Sequence, residues 1–214
     1  MSKNTKEKAL INLKHINIVI GTPKNMIDDP ILDYQIDDAW GNACKMAKWK
    51  KNSSIKKMNY NVSEDNRDID WREFETMGNQ PYIVNAYYLA NQNMIYIPSA
   101  YIQKPFIDLN NRGIEYILAF LGFTIAHEMT HAFDLNGSKY DKDGNKVNWW
   151  TPKDREIFNK KIKNVARQYE HAARKDNIKL DGMFSIGENV ADIGGLAICE
   201  QYLLEFLNKN HVVE

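Results

Sequence analysis

The 214-residue sequence has little cysteine, no net charge and no long apolar run. Its two cysteines, Cys44 and Cys199, lie far apart, which excludes a framework of several disulfides and leaves a single bridge open. Lys plus Arg and Asp plus Glu both number 28, so there is no basic field to attract nucleic acid or an anionic membrane. No stretch has the pattern of a signal peptide or the length of a membrane span. We therefore expect a cytoplasmic protein with no nucleic-acid partner.

Apolar periodicity predicts one mainly helical α+β domain over residues 1–214, because the sequence has no internal repeat, low-complexity tract or linker. The second helix is expected to bury Ile36 and Trp40, and residues 51–70 to form a polar surface connection. We expect a first helix that ends at Gly21 and four further helices over residues 30–50, 113–133, 151–176 and 185–208. Residues 82–89 and 94–98 are expected to form a hairpin.

The segment GFTIAHEMTHAFD, residues 122–134, contains the pattern His-Glu-x-x-His in an otherwise apolar helix. His127 and His131 are four residues apart, so a helix directs both imidazoles to one point, where they can bind zinc. Glu128 lies about 100° around the helix, beside the metal, where it can take a proton from water activated by zinc. The alternative is a pair of helix-face histidines without a metal, but burying two His and one Glu without a partner is costly.

A third ligand is available downstream in GENVADIGG. Glu188 would complete three protein ligands and leave a fourth position for water. Asp192 lies four residues further on, on the same helix face, and can accept the free ring N–H of a zinc-bound histidine. Taken alone, such a carboxylate pair is more often a solvated helix face. Gly194 and Gly195, however, favour the close helix packing that would bring Glu188 to the two histidines.

Three segments of the sequence resemble the neprilysin, endothelin-converting-enzyme and bacterial oligopeptidase O family of zinc metallopeptidases. They are HEMTHAFD, DKDGNKVNWWT and GENVADIGG. The segments VNAYY and NQNMIYIPSAYIQKPF extend the resemblance to most of residues 6–205. It implies a zincin-like core with an active-site helix, a second zinc-ligand helix and a small sheet or hairpin. It also implies hydrolysis of peptides with one zinc ion per chain, although Co²⁺ or Mn²⁺ could occupy the same ligands.

The same resemblance implies a role for each matching residue. Asn85 and Ala86 match the family residues that hold the substrate backbone, and an exposed strand edge can pair with an extended peptide. The zinc ligands implied are His127, His131 and Glu188, the general base is Glu128, and the partner of His127 is Asp192. The neighbouring aromatic residues are expected in the core rather than in a substrate pocket: Tyr87, Tyr88, Trp149 and Trp150.

The sequence departs from the family pattern at both ends. Family members are several times longer, and residues 1–80 are too short to supply their helical cap domain. A later family segment carries an oxyanion-stabilising His and a supporting Arg, and His211 lacks its surrounding pattern. Two hypotheses stay open: a zinc endopeptidase, or a non-catalytic zinc-binding remnant or half of a split peptidase that needs a partner chain. Without the later family segment, apolar residues of the last helix would be left partly uncovered, which favours self-association or a partner chain. These residues are Leu196, Tyr202, Leu203, Leu204, Phe206 and Leu207.

Overall fold

The computed structural model describes residues 1–21, 31–63, 81–108 and 113–210, and these form two compact units. One unit comprises residues 1–22 and 80–214, and the other comprises residues 23–79. Because each unit is described by itself, the single domain expected over the whole chain stays a prediction. The elements are α1 (Lys3–Lys14), β1 (Asn17–Gly21), α2 (Ala39–Ser63, in the second unit), β2 (Tyr87–Leu89), β3 (Met94–Pro98), α3 (Ile114–Ile117), α4 (Phe123–His131), α5 (Pro152–Lys175) and α6 (Ile186–Lys209).

A three-stranded sheet of order β1-β3-β2 lies in the first unit, with β1 parallel and β2 antiparallel to β3. The central strand is buried on both faces, since Ile95 and Ile97 are fully buried and Tyr96 is nearly so. This burial explains the uninterrupted apolar run of β3. The predicted hairpin is confirmed, although its first strand covers only the last three residues of the range 82–89. The predicted α+β, mainly helical fold is likewise confirmed.

The prediction that the first helix continues to Gly21 is wrong. The helix α1 ends at Lys14, and the following residues form β1, which pairs with β3 from Asn17 opposite Met94 to Gly21 opposite Pro98. The apolar spacing is compatible with a helix, but the segment INIVI is rich in β-branched residues, which are stiff at χ1 and suit a strand. Pairing with the buried central strand therefore outweighs the local periodicity.

The second helix also differs from the prediction. The carboxylate of Asp38 accepts a hydrogen bond from the backbone N–H of Gly41 at 2.8 Å, which caps a helix that begins at Ala39. Ile36 therefore precedes the helix, and both Ile36 and Trp40 are exposed rather than buried. The helix continues to Ser63, through most of the expected polar connection, because its Lys-rich sequence contains good helix formers. The rest of that connection, residues 64–70, lies outside the described residues, as does His211.

The helices that carry the predicted motifs are confirmed. The range 113–133 is occupied by α3, a wider π turn over Leu118–Gly122, and α4, which follow one another without a break. Leu121, Ile125 and Met129 pack against the buried isoleucines of β3, so α4 lies against the sheet. The predicted N-terminus of α5 is also present, where the hydroxyl of Thr151 accepts a hydrogen bond from the backbone N–H of Asp154 at 3.2 Å.

Asn93 holds the β2–β3 turn against two other segments. Its φ is 46°, a left-handed conformation that asparagine tolerates better than most residues. The side chain is buried, and its Nδ2 donates to the carbonyl oxygens of Asn12 and Lys142, each at 3.2 Å. Its Oδ1 accepts a hydrogen bond from the hydroxyl of Tyr88 at 2.9 Å. One amide therefore connects the edge strand β2 to α1 and to the loop before α5.

Replacing Asn93 should destabilise the fold through both its hydrogen bonds and its backbone conformation. We expect Asn93→Ala to lower the free energy of unfolding by about 2–4 kcal/mol, because buried partners lose their hydrogen bonds and alanine disfavours positive φ. Asn93→Gly loses the same bonds without the backbone strain and should be the more stable of the two. Urea unfolding followed by circular dichroism measures both values. Wild-type stability in both variants would contradict this role for Asn93.

Candidate metal centre

Three side chains from α4 and α6 meet at one point. The Nε2 atoms of His127 and His131 are 3.1 Å apart. The Oε2 atom of Glu188, in the first turn of α6, lies 3.3 Å from the first of these nitrogens and 3.4 Å from the second. Among the described residues, these three form a cluster that could hold a metal ion. The structure thus brings together the three ligands that the sequence motifs indicate.

The geometry of this triangle fits a tetrahedral zinc ion. Zinc binds histidine nitrogen at about 2.0–2.1 Å and carboxylate oxygen at about 2.0–2.2 Å, so two corners of the tetrahedron are about 3.3–3.5 Å apart. The distances between the three donor atoms are 3.1, 3.3 and 3.4 Å. Two imidazoles and one carboxylate are also a donor set of catalytic zinc sites, which leave a fourth position open. The residues therefore suit zinc in both distance and chemistry.

The close approach of α4 and α6 depends on two glycines. A Cβ atom at Gly195 would lie 3.0 Å from the backbone nitrogen of His127, and one at Gly194 would lie 2.5 Å from Cγ2 of Thr130. A side chain at Gly195 would press on the backbone of α4, and one at Gly194 would displace the side chain of Thr130. The prediction that the glycine pair permits close helix packing is confirmed, and this packing brings Glu188 to the histidines.

Each histidine ligand is oriented by a carboxylate at its other ring nitrogen. The Nδ1 atom of His127 lies 2.8 Å from Oδ1 of Asp192, the contact expected from the four-residue spacing on α6. The Nδ1 atom of His131 lies 2.8 Å from Oδ2 of Asp134. A carboxylate that accepts from Nδ1–H leaves Nε2 unprotonated and free to bind a metal. Both contacts therefore favour the tautomer that zinc requires.

Asp134 is a site residue that the sequence reasoning missed. Its carboxylate also accepts hydrogen bonds from the backbone N–H groups of Asn136 at 2.6 Å and Gly137 at 2.8 Å. Burial acts to raise the pKa of Asp134, but the hydrogen bonds from His131 and these two N–H groups outweigh it and lower the pKa. The signal in the sequence is the acid three residues after His131, where α4 ends and its carboxylate can fold back.

Glu128 lies beside the triangle and is only 6% exposed. Burial raises the pKa of its carboxyl group and the charge of Glu188 acts in the same direction, whereas the two histidines and a hydrogen bond from the Tyr88 backbone act to lower it. Burial also acts to lower the pKa of His131, but the hydrogen bond to Asp134 and the nearby carboxylates outweigh it and raise the pKa. A divalent cation at the metal centre would compete with protons for the ring nitrogen of His131.

A cleft of about 510 Å³ connects the metal centre with the edge strand β2. Asn85 and Ala86, the predicted substrate-backbone residues, precede this strand and line the cleft together with the ligands. Trp149 and Trp150 are buried, as expected. The other two aromatic residues, Tyr87 and Tyr88, are only half-buried and line the cleft, because an edge strand leaves one side open.

The outer face of α6 is partly uncovered within the described residues. The side chains of Glu188 and Asp192 are 65% and 52% exposed. Further along α6, Leu196, Tyr202 and Leu204 are exposed, whereas Leu203, Phe206 and Leu207 are half-buried. The prediction of a partly uncovered apolar face is confirmed. None of the described helices combines the length and apolar character that crossing a membrane requires.

A helix with His-Glu-x-x-His, a carboxylate ligand from a second helix and a sheet edge along the cleft together define a zincin-like core. The sequence model of Peptidase family M13 matches residues 85–213. Neprilysin-3 of Drosophila melanogaster is 34% identical over 204 residues, which cover 92% of this chain and 24% of that protein. Neutral endopeptidase of Lactobacillus helveticus is 32% identical over 206 residues, which cover 94% of this chain and 30% of that protein.

Solved structures agree with these sequence comparisons. The crystal structure of Mycobacterium tuberculosis zinc metalloprotease ZMP1 in complex with an inhibitor has a TM-score of 0.74 and 32% identity, over 97% of this chain and 31% of that one. The chain belongs to Peptidase family M13. It spans between 24% and 31% of the length of these relatives.

Removing either orienting carboxylate should weaken zinc binding. We expect Asp192→Asn and Asp134→Asn each to lower zinc affinity by about 10- to 100-fold, because a neutral amide is a weaker acceptor and no longer raises the basicity of the ring nitrogen that binds the metal. Competition with a chromogenic chelator measures the dissociation constant. Asp143→Asn, at an exposed position in the loop before α5, serves as the control. Unchanged zinc affinity in both site variants would contradict this role.

Proposed function

We propose that the chain hydrolyses peptide bonds in oligopeptides with one zinc ion held by His127, His131 and Glu188. The observation that carries this proposal is the triangle of donor atoms, 3.1 to 3.4 Å on a side, next to a buried glutamate. Membership of Peptidase family M13 supports metallopeptidase chemistry. The names of the related proteins, neutral endopeptidase and zinc metalloprotease, support the same reaction and metal.

Glu128 is the general base in this proposal. When bound, zinc supplies a Lewis acid that polarises the scissile carbonyl and lowers the pKa of water. The carboxylate of Glu128 takes a proton from the attacking water and then gives it to the leaving amine. Burial, which raises the pKa of this group, makes it a stronger base than an exposed glutamate. The backbone N–H of Tyr88 contacts the same carboxylate and holds it beside the sheet edge.

The substrate would lie along the sheet edge. Because β2 pairs with β3 on one side only, its outer backbone groups can bond an extended peptide in the manner of an added strand. Asn85 and Ala86 lie just before this strand in the same cleft as Glu128. We therefore assign the substrate backbone to these residues, with the scissile bond towards the metal centre.

Substitution of the general base tests this mechanism. We expect Glu128→Gln to bind about one zinc ion per chain, because the amide is isosteric and not a ligand. It should lower kcat/KM by about 100- to 10,000-fold, the usual contribution of a general base. A quenched fluorescent peptide and elemental analysis give the two values, and wild-type cleavage should stop when a chelator is added. Glu205→Gln, an exposed site on α6, is the matched control. Full activity of Glu128→Gln would refute the mechanism.

A second candidate function is zinc binding without turnover, either as a remnant or as half of a split peptidase. It is favoured by the exposure of Glu188 and of the apolar side chains of Leu196, Tyr202 and Leu204. A partner chain or a second copy could cover that face and complete the site.

The two candidates differ in the turnover of the isolated chain. The second predicts about one zinc ion per chain with negligible peptide cleavage until a partner is supplied. We would measure zinc content, cleavage and oligomeric state by light scattering on the same preparation. Robust turnover by the isolated monomer would rule out the second candidate.

A further inference from the structure

A second cavity adjoins the cleft of the metal centre. Its volume is about 570 Å³, and its walls come from residues 135–139, residues 146–148 and the first turns of α5. Asn136 lines both this cavity and the metal cleft. The backbone N–H of Asn136 donates to Asp134, whose carboxylate contacts His131. The cavity therefore shares a wall residue with the metal cleft.

All charged residues that line this cavity in the described part of the chain are basic. They are interspersed with side-chain amides, which can donate further hydrogen bonds. The cations are Lys139, Lys146 and Arg155, and the amides are Asn136, Asn148 and Asn159. We refer to these six residues as the basic cavity.

Arg155 is held in place without being neutralised. Its guanidinium donates to the hydroxyl of Ser138 at 2.7 Å and to the carbonyl oxygen of the same residue at 3.2 Å. The group also lies 4.6 Å from the centre of the Trp150 ring. These partners are neutral, and within the described residues Arg155 has no acidic partner. Burial lowers the pKa of the guanidinium, as expected for a cation that has lost solvent without gaining an anion.

Two other cations on α5 have acidic partners. Lys160 pairs with Glu156 and Arg174 pairs with Glu170, in both cases one helical turn away. The residues one turn before and after Arg155 are Thr151 and Asn159, neither of which can carry a negative charge. The absence of a local counter-ion at Arg155 therefore distinguishes this position from the solvated ion pairs on the same helix.

We propose that the basic cavity binds a carboxylate of the peptide substrate at a position away from the scissile bond. A fixed guanidinium with free N–H groups matches the planar carboxylate, and two flexible lysines add charge around it. Because Asn136 lines both the basic cavity and the metal cleft, a carboxylate in the cavity can belong to a molecule that also lies in that cleft. This inference rests on the proposed peptide hydrolysis and specifies which peptides it favours: those with an acidic residue, or a free C-terminus, at one distal position.

The test compares peptides that differ in a single carboxylate. One series carries Glu or Gln at each position around a fixed cleavage site, and a second pair ends in a free acid or an amide. We expect kcat/KM to be about fivefold to tenfold higher for the acidic member at one position, a modest effect because the lysines are solvent-exposed. The preference should decline as salt concentration rises. The two series distinguish a side-chain carboxylate from a C-terminal one.

Variants of the two lysines provide the decisive control. Both side chains are exposed, so Lys139→Gln/Lys146→Gln should fold normally, and it should reduce the ratio of kcat/KM for acidic over neutral substrates, with the remaining preference due to Arg155. Lys153→Gln/Lys163→Gln removes the same charge from exposed positions of α5 outside the cavity and should retain the preference. Equal rates for acidic and neutral peptides in the wild type would overturn the proposal. A preference of undiminished size in the first double variant would also overturn it.

A binding measurement tests the basic cavity independently of peptide hydrolysis. We would measure the affinity of fluorescently labelled Glu and Gln peptides for the Glu128→Gln variant by anisotropy. Tighter binding of the Glu peptide that depends on Lys139 and Lys146 supports the basic cavity even if the wild type cleaves nothing, in which case only the proposed function fails. Cleavage without any carboxylate preference overturns only the cavity. Failure to bind any of the peptides overturns both.

Discussion

The contact between α4 and α6 at two glycines is the constraint on which the metal centre depends. The His127 backbone is only 3.0 Å from the position that a Cβ of Gly195 would occupy, so a residue with a side chain there would hold the helices further apart. That approach sets the three donor atoms at the edge lengths of a zinc tetrahedron. A wider separation would leave Glu188 out of reach and the two histidines without a third ligand.

The surrounding structure divides into a rigid support and an open face. On the support side, α4 packs against the buried strand β3, and Tyr88 joins the edge strand both to Glu128 and to Asn93. On the open face, Glu188 and the apolar residues of α6 are exposed. Glu128 and the sheet edge are thus positioned by the same residue, whereas the position of Glu188 depends on a helix that has one uncovered side.

Features that depend on residues close in sequence were predicted correctly more often than features that depend on contacts between distant residues. His127, Glu128 and His131 follow from helical spacing, and the glycine pair made the position of Glu188 foreseeable. The strand β1 was not foreseeable, because its pairing with β3 joins residues distant in sequence and outweighs a helix-like periodicity. Asp134 escaped notice for a different reason: its reach depends on how the chain turns after α4, which Gly137 permits and spacing alone does not show.

The two sets of ligands also have a thermodynamic consequence. The histidines are neighbours on one helix, but Glu188 and Asp192 reach them only when α6 has docked on α4. The complete donor set therefore exists in the native state and not in the unfolded chain. By mass action, free zinc at 100 times its dissociation constant would add about 2.7 kcal/mol to the stability of the native state. The resistance of the domain to unfolding would then vary with the zinc supply of its surroundings.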